Sequence, residues 1–236
     1  MIFNLKEGRI SLIAEKHIYS EIKNAILNKK ISLNQQLNEQ LLSEAFNVSR
    51  TPIRSVLQKL IYEKILYNIP NKGTFIYLPK KEEVEDIFQL RKIMEKKAVE
   101  IACEKSSMKD FEKLEEIIHK EEKEFKKGEY GNGIEFTSKF HQGLMMLSKN
   151  KFMISYNEEL LNISNVYLTF HDTATKECPM SPDEHRSIIS YLKKRDVTNS
   201  IKMIDTHFNS IKTHLGSKKD IENTSFAEIF QTRKDT

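Results

Sequence analysis

LNEQLLSEAFNVSRTPIRSVLQKLIYEKILYNIPNKGTF, residues 37–75, is the stretch of the sequence that decides the fold. Its first part has the spacing of one apolar helix face, formed by Leu37, Leu41, Leu42 and Phe46. A short turn at Asn47-Val48 separates this helix from a second one, for which Ser49 is a candidate N-cap and Pro52 lies in the first turn. Two short helices joined by a tight turn predict a helix-turn-helix.

A predicted hairpin follows the second helix directly. Residues 65–69 and 74–78 are rich in strand-forming side chains, and Pro70-Asn71-Lys72-Gly73 between them has the composition of a turn. A hairpin in this place is a wing, and Lys72 lies at its tip. The second helix begins with Arg50, Thr51 and Arg54, and the beginning of a recognition helix is the part that reaches bases and phosphates. The sequence therefore predicts a DNA-binding winged helix.

The distribution of charge agrees with this prediction. Residues 1–79 contain 11 Lys and Arg against 6 Asp and Glu, a balance of +5, whereas the whole chain of 236 residues has a net charge of +4. The positive excess therefore belongs to the part with the helix-turn-helix, as a phosphate-facing surface requires. No apolar run approaches the ~20 residues of a membrane span. Cys103 and Cys178 form no C-x-x-C motif and are expected to be reduced thiols in a cytoplasmic protein.

Helical periodicity dominates the rest of the chain. A first helix is predicted over residues 11–28, and from residue 81 onward six or so helices follow one another through short turns. We expect a mainly α protein with two domains, a winged helix-turn-helix over 1–79 and an antiparallel, all-α helical bundle over 80–236.

Three of the seven histidines fall on the predicted helices of the bundle. His185 and His207 lie at similar distances from a turn near Arg195, so antiparallel helices bring them to the same level. His141 lies partly on the inner face of its own helix. Three imidazoles converging in a bundle would form a site for a divalent metal, with zinc, nickel or manganese as candidates. The alternative is that each is an ordinary core or surface histidine with a backbone partner.

Ser49-Arg50-Thr51-Pro52-Ile53-Arg54, with residues 37–41 before it and 70–73 after it, resembles the winged helix of GntR-family bacterial transcription regulators over about residues 12–78. The resemblance implies a homodimer that reads a palindromic operator. The residues implied in DNA binding are Gln40, Ser49, Arg50, Thr51, Arg54, Lys72 and Gly73.

The segments around His141, His185, Arg195 and His207 resemble the FCD effector domain of the FadR-like subgroup. In that subgroup an Asp one turn before the first His joins three His in binding a divalent metal, which helps to hold a small carboxylate effector. Thr137 stands in the place of that Asp. The expected consequence is a site held by three His and water, more cationic than in relatives, whose occupancy falls as pH drops through the ordinary histidine range.

Arg91, Thr137 and His214 are the expected effector-binding residues. The guanidinium of Arg91 could clamp a carboxylate with two hydrogen bonds, or it could pair with Glu95 one turn later. Both alternatives stay open from the sequence.

The function expected is that of a regulator that binds DNA with one domain and a small carboxylate with the other. Two other functions are compatible with the same residues. The chain could be a metal-dependent hydrolase fused to a DNA-binding domain, or a DNA-binding protein whose bundle only dimerises. We do not expect an enzyme, because no nucleophile or general base motif accompanies the histidines.

Overall fold

The computed structural model describes residues 2–171, 182–214 and 224–231, with side chains over 13–171, 182–211 and 224–230. Residues 172–181 of the loop predicted at 171–182, Cys178 with them, and most of the segment after Gly216 lie outside the described residues, and so does the side chain of His214, whereas His171 and Pro182 are helical. The chain divides into two compact units, one of Met1–Leu78 with Asp220–Thr236 and one of Pro79–Lys219. Among the described helices, none has the length and hydropathy needed to span a membrane.

The first unit contains the predicted winged helix. Its elements are α1 (Ile2–Leu27), α2 (Glu39–Phe46), α3 (Arg50–Tyr62), β1 (Leu66–Ile69) and β2 (Gly73–Ile76). Helix α1 begins at Ile2 rather than at residue 11, and no proline interrupts the added turns. The two strands pair antiparallel, with Leu66 opposite Ile76. The core is formed by the apolar faces of these elements, among them Ile22, Ile26, Leu42, Ile53, Leu60 and Ile76.

The tight turn between α2 and α3 has a local cause. Asn47 adopts a left-handed conformation with φ of 52°, which ends α2, and asparagine tolerates this conformation better than most residues. At the start of α2 the Asn38 side chain accepts hydrogen bonds from the backbone N–H groups of Gln40 and Leu41. The backbone N–H of Leu37 also donates to the Thr74 carbonyl in the wing at 2.8 Å. Hydrogen bonds therefore fix both ends of α2, since the Asn47 N–H also donates to carbonyls in the last turn of the helix.

The second unit is the predicted helical bundle. It consists of α4 (Lys81–Lys105), α5 (Met108–Lys126), α6 (Tyr130–Met146), α7 (Lys151–His171), α8 (Pro182–Lys193) and α9 (Val197–His214). Helix α4 packs against α6, α7, α8 and α9, and residues 161–170 of α7 are buried throughout. Helix α5 packs against α6 and α8.

Arg195 fixes the hairpin of α8 and α9. It has a φ of 58° in the turn between the two helices. Its guanidinium donates to the carbonyls of Ala102 and Cys103 and, at 2.6 Å, to that of Ser106. A cation that binds the last carbonyls of a helix satisfies acceptors that have no partner within the helix. The hairpin is thereby attached to the end of α4.

A short helix after the second unit returns to the first. Helix α10 (Phe226–Gln231) packs against α2, and the rings of Phe46 and Phe230 lie 4.5 Å apart. The Gln35 side chain donates to the Thr224 carbonyl at 2.6 Å. The sequence assigns all of residues 80–236 to the second domain, whereas in the structure residues 226–231 pack with the first unit. The reason is apolar burial, because Phe226 and Ile229 find a covering surface on α2.

Candidate functional site

The three histidines of the bundle converge inside the second unit. His141 lies on α6, His185 on α8 and His207 on α9, and all three side chains are buried. Their ring centroids are 4.9 to 5.1 Å apart. The three residues can each offer one ligand atom within 4.8 Å of the others. The equal level of His185 and His207 follows from the hairpin, whose turn at Arg195 lies between them.

Each imidazole is oriented by its own carboxylate. The Nδ1 atoms of His141, His185 and His207 lie 2.8, 2.9 and 2.7 Å from carboxylate oxygens. The respective partners are Glu95, Glu121 and Glu184. The Nε2 atom of every ring is buried without a hydrogen-bond partner among the described residues. Because each carboxylate accepts a hydrogen bond from Nδ1–H, the neutral form of the ring presents the lone pair of Nε2 toward the other two rings.

Burial keeps the imidazoles of His141 and His207 neutral. It lowers the pKa of His141 to about 3, although Glu95 opposes the shift, and burial lowers the pKa of His207 as well. Burial alone would raise the pKa of Glu95, but the neighbouring His141 and Arg91 outweigh it and hold that pKa at about 2. At neutral pH His141 and His207 are therefore uncharged, and Glu95 is ionised.

This arrangement fits a divalent metal ion. Three imidazole nitrogens without a partner among the described residues are the donor set that zinc and nickel accept, and carboxylates on the far nitrogens are the usual support of such ligands. The formal charges agree, because three glutamates and the guanidinium of Arg91 leave two negative charges for one dication to balance. Separate core histidines would each need a partner for Nε2.

Thr137 occupies the place in which the resemblance expects an aspartate. Its buried hydroxyl donates to Glu121 at 2.6 Å and also contacts the Gly133 carbonyl. Thr137 thus supports the glutamate that orients His185. The expectation of a site more cationic than in relatives counts only the ligand positions and omits the three glutamates behind them.

Those glutamates are the functional residues that the sequence reasoning missed. Glu121 lies on the same helix face as the core residues Leu114 and Ile118. A glutamate at a position that the helical period assigns to the core was the available signal, because a buried carboxylate needs a partner.

Arg91 pairs with Glu95, as one of the two alternatives from the sequence states. The two side chains are buried and their closest charged atoms are 3.1 Å apart. Arg91 also donates to Ser164 at 3.1 Å, while its Nε has no partner among the described residues. The pair is connected to the three histidines by a hydrogen bond, because the other oxygen of Glu95 bonds to His141. His214 belongs to α9, but the position of its side chain lies outside the description.

The second candidate surface is on the winged helix. Arg50 donates to Gln40 at 2.7 Å, and Arg54 donates twice to Glu39, at 3.0 and 2.8 Å. Ser49 stands at the N-cap of α3, but its hydroxyl makes no cap hydrogen bond. Thr51 follows it and is exposed. These side chains share the exposed start of α3, where the sequence predicts DNA contacts.

The wing completes this surface. Lys72 is exposed in the turn between β1 and β2, and Gly73 has a φ of 101°. The positive φ favours glycine here, and a Cβ at Gly73 would also lie 2.1 Å from the amide nitrogen of the Gln36 side chain, which would have to move. A cleft lies between the wing, the start of α2 and α3, and its lining includes Gln40, Arg50 and Gly73.

Comparison with known protein families assigns both units. Residues 14–76 match "Bacterial regulatory proteins, gntR family", and residues 86–210, more than half of the chain, match the FCD domain. The chain belongs to the GntR family of regulators that carry an FCD domain. It is therefore a DNA-binding transcription regulator and not an enzyme, which confirms the expected class and removes the hydrolase alternative.

Relatives and solved structures agree with the GntR assignment. The HTH-type transcriptional regulator YdhC of Bacillus subtilis is 26% identical over 84% of this chain and 88% of its own length. The Nta operon transcriptional regulator of Aminobacter aminovorans is 25% identical over 86% and 93%. The fold is similar to that of E. coli McbR/YncC, with a TM-score of 0.71 at 17% identity over 85% of this chain and 95% of that one. A putative GntR regulator from Rhodococcus sp. RHA1 has a TM-score of 0.73 at 16% identity, covering 87% and 99%.

Proposed function

We propose that the FCD unit of this GntR regulator binds one divalent metal ion through His141, His185 and His207, and a small carboxylate effector beside it. The observation that carries the proposal is the buried set of three Nε2 atoms without partners in the described part of the chain, each on a ring oriented by a carboxylate. When bound, the ion supplies positive charge and open coordination positions for an anionic ligand.

Arg91 supports a carboxylate as the class of effector. Its guanidinium is buried, its Nε has no partner among the described residues, and it shares Glu95 with a metal ligand. Burial lowers the pKa of Arg91, and the neighbouring Glu95 counteracts that effect. An anion that binds both the metal and Arg91 would satisfy the remaining donor. Thr137 contributes by holding Glu121, and His214 stays a predicted effector residue.

The test is calorimetric titration of metal-free protein with zinc, nickel and manganese, alone and with each of a panel of small mono- and dicarboxylic acids. We expect one ion to bind per chain. An acid that binds beside the ion should raise the affinity for the metal, and the metal should raise the affinity for the acid by the same factor. Protein that binds neither an ion nor an acid would favour the remaining alternative, a bundle that only dimerises.

We further propose a homodimer that reads a palindromic operator, since one winged helix covers only a few base pairs. The exposed apolar surface of α4 is the proposed contact: Leu90 and Ile93, one turn apart, are 46% and 61% exposed. Light scattering of wild type and of Ile93→Lys tests this. A monomeric wild type that holds DNA with full affinity would contradict the proposal.

A further inference from the structure

The two arginines of the recognition helix differ in the charge of their partners. Arg50 is held by the neutral side chain of Gln40, whereas Arg54 is held by the carboxylate of Glu39. The hydrogen bond from Arg54 lowers the pKa of Glu39, so this pair is ionised at neutral pH. The positive charge of Arg54 is therefore cancelled locally. Arg50 also lies close enough to Glu39 to help lower its pKa, but its hydrogen-bond partner Gln40 is neutral.

Glu39 holds one edge of the guanidinium and leaves the other edge open. The bonds to Glu39 come from Nε and Nη2 of Arg54, at 3.0 and 2.8 Å. A guanidinium has five N–H donors, so the fork formed by Nη1 and Nη2 keeps its outward N–H groups. That fork is the group that bonds to O6 and N7 of guanine in the major groove. The Arg54 side chain is 63% exposed, which leaves this edge accessible.

Hydrogen bonds hold the backbone at Glu39 in place. Glu39 is the first residue of α2, directly after the Asn38 cap, and the preceding Leu37 N–H is bonded to Thr74 in the wing. An exposed ion pair usually contributes little to stability because both side chains are free to move. Here one partner begins a capped helix and the pair is bidentate, so the pair restricts the direction of Arg54.

We propose that Glu39 is a positioning residue for DNA specificity: it aims the open fork of Arg54 at a guanine and cancels its attraction for phosphates. Arg54 then adds base discrimination with little non-specific affinity, while Arg50, whose hydrogen-bond partner is neutral, contributes more of the attraction for phosphates. This proposal rests on the DNA-binding assignment alone and is independent of metal or effector binding.

The experiment uses the full-length protein and a library of randomised 20-base-pair duplexes, from which bound sequences are selected and read. Wild type, Glu39→Gln, Glu39→Asp and Arg54→Ala are compared. Glu44→Gln is the charge-matched control, because Glu44 lies on the same helix and accepts a hydrogen bond from Gln40 that a glutamine oxygen can also accept. Circular dichroism melting establishes that each variant is folded.

We expect Arg54→Ala and Glu39→Gln to lose preference at the same base, on the order of 10- to 100-fold, as for a bidentate arginine–guanine contact. Glu39→Gln should also bind a random duplex more tightly, with a slope of log affinity against log salt steeper by about one. Glu39→Asp, which keeps the charge but moves the carboxylate, should lose the preference without the steeper slope. Glu44→Gln should keep the wild-type preference.

Two results would overturn the proposal. If Glu39→Gln and Glu39→Asp both keep the wild-type preference at every base, Glu39 does not position Arg54. If Arg54→Ala loses no base preference, Arg54 does not read a base and Glu39 has nothing to aim.

Discussion

Substituting Thr137 by aspartate separates the two roles that its position can have. In the structure the Thr137 hydroxyl donates to the Glu121 carboxylate at 2.6 Å, in a site where both side chains are buried. An ionised aspartate cannot donate this bond, and it places a second carboxylate beside Glu121. The same carboxylate would provide the additional metal ligand that the family resemblance expects. Without metal, Thr137→Asp should therefore be less stable than wild type. The variant should also bind the metal more tightly than wild type does.

The magnitude follows from the hydrogen bond. A bond to a charged group contributes about 1.5–3 kcal/mol, and leaving the Glu121 oxygen without it forfeits that amount. Repulsion between the two carboxylates increases the loss further. For a protein of this size about 1 kcal/mol corresponds to about 2–4 °C in melting temperature. From the lost hydrogen bond, metal-free Thr137→Asp should therefore melt ~3–12 °C below wild type, and the repulsion lowers its melting temperature further.

The assay is thermal unfolding followed by circular dichroism, in EDTA and in excess zinc. Thr137→Val is the matched control, because it loses the same hydrogen bond to Glu121 and adds no charge. Both variants should melt below wild type in EDTA, and zinc should raise the melting temperature of Thr137→Asp by more than that of wild type or Thr137→Val. A Thr137→Asp protein as stable as wild type in EDTA, or with no larger zinc response than Thr137→Val, would refute the reasoning.

Three further predictions concern the metal ligands and the DNA surface. His207→Ala should abolish the rise in melting temperature that zinc causes. His119 is an exposed histidine on α5, and His119→Ala should keep that rise. Equal responses of the two variants would contradict zinc binding by the three histidines. The pKa of His141 is about 3, so between pH ~6.5 and ~3 only the unfolded chain takes up the proton. His141 should therefore lower the unfolding free energy of metal-free protein by about 1.4 kcal/mol per pH unit below pH ~6.5, and the lowered pKa of His207 should make the total slope steeper, which urea titrations at pH 7, 6 and 5 will measure. Arg50→Ala should weaken binding to a random duplex and flatten its salt dependence by about one, and an unchanged slope would exclude phosphate contact.

These lowered pKa values also correct one expectation from the sequence. The sequence places the loss of metal at the ordinary histidine pKa near 6.5. Because burial lowers the pKa of His141 and of His207, protons compete for their nitrogens only at lower pH, and metal binding should persist below 6.5.

Local patterns predicted most of the fold. The winged helix could be derived because each of its parts has its own signal, from the apolar face of α2 to the turn around Lys72. The common level of His185 and His207 could be derived as well, because a helical hairpin relates the two positions by a simple rise per residue.

The partners of those histidines could not be derived in this way. Glu95 lies 46 residues from His141, and Glu121 lies 64 residues from His185. Helical periodicity indicates which face a residue occupies, but it does not indicate which other helix covers that face. The same limit applies to α10, whose apolar residues stand out in a polar segment without indicating the unit on which they pack.

The return of α10 makes the DNA-binding unit discontinuous in the sequence. Phe46 is synthesised 184 residues before Phe230, the ring that lies against it. During translation the winged helix therefore emerges from the ribosome with this face of α2 uncovered. The face stays uncovered until the whole FCD unit has been synthesised. A polypeptide whose synthesis stops within that unit carries an unprotected aromatic surface, which cellular proteases and chaperones recognise. Completion of the DNA-binding unit is thus tied to the synthesis of the unit that regulates it.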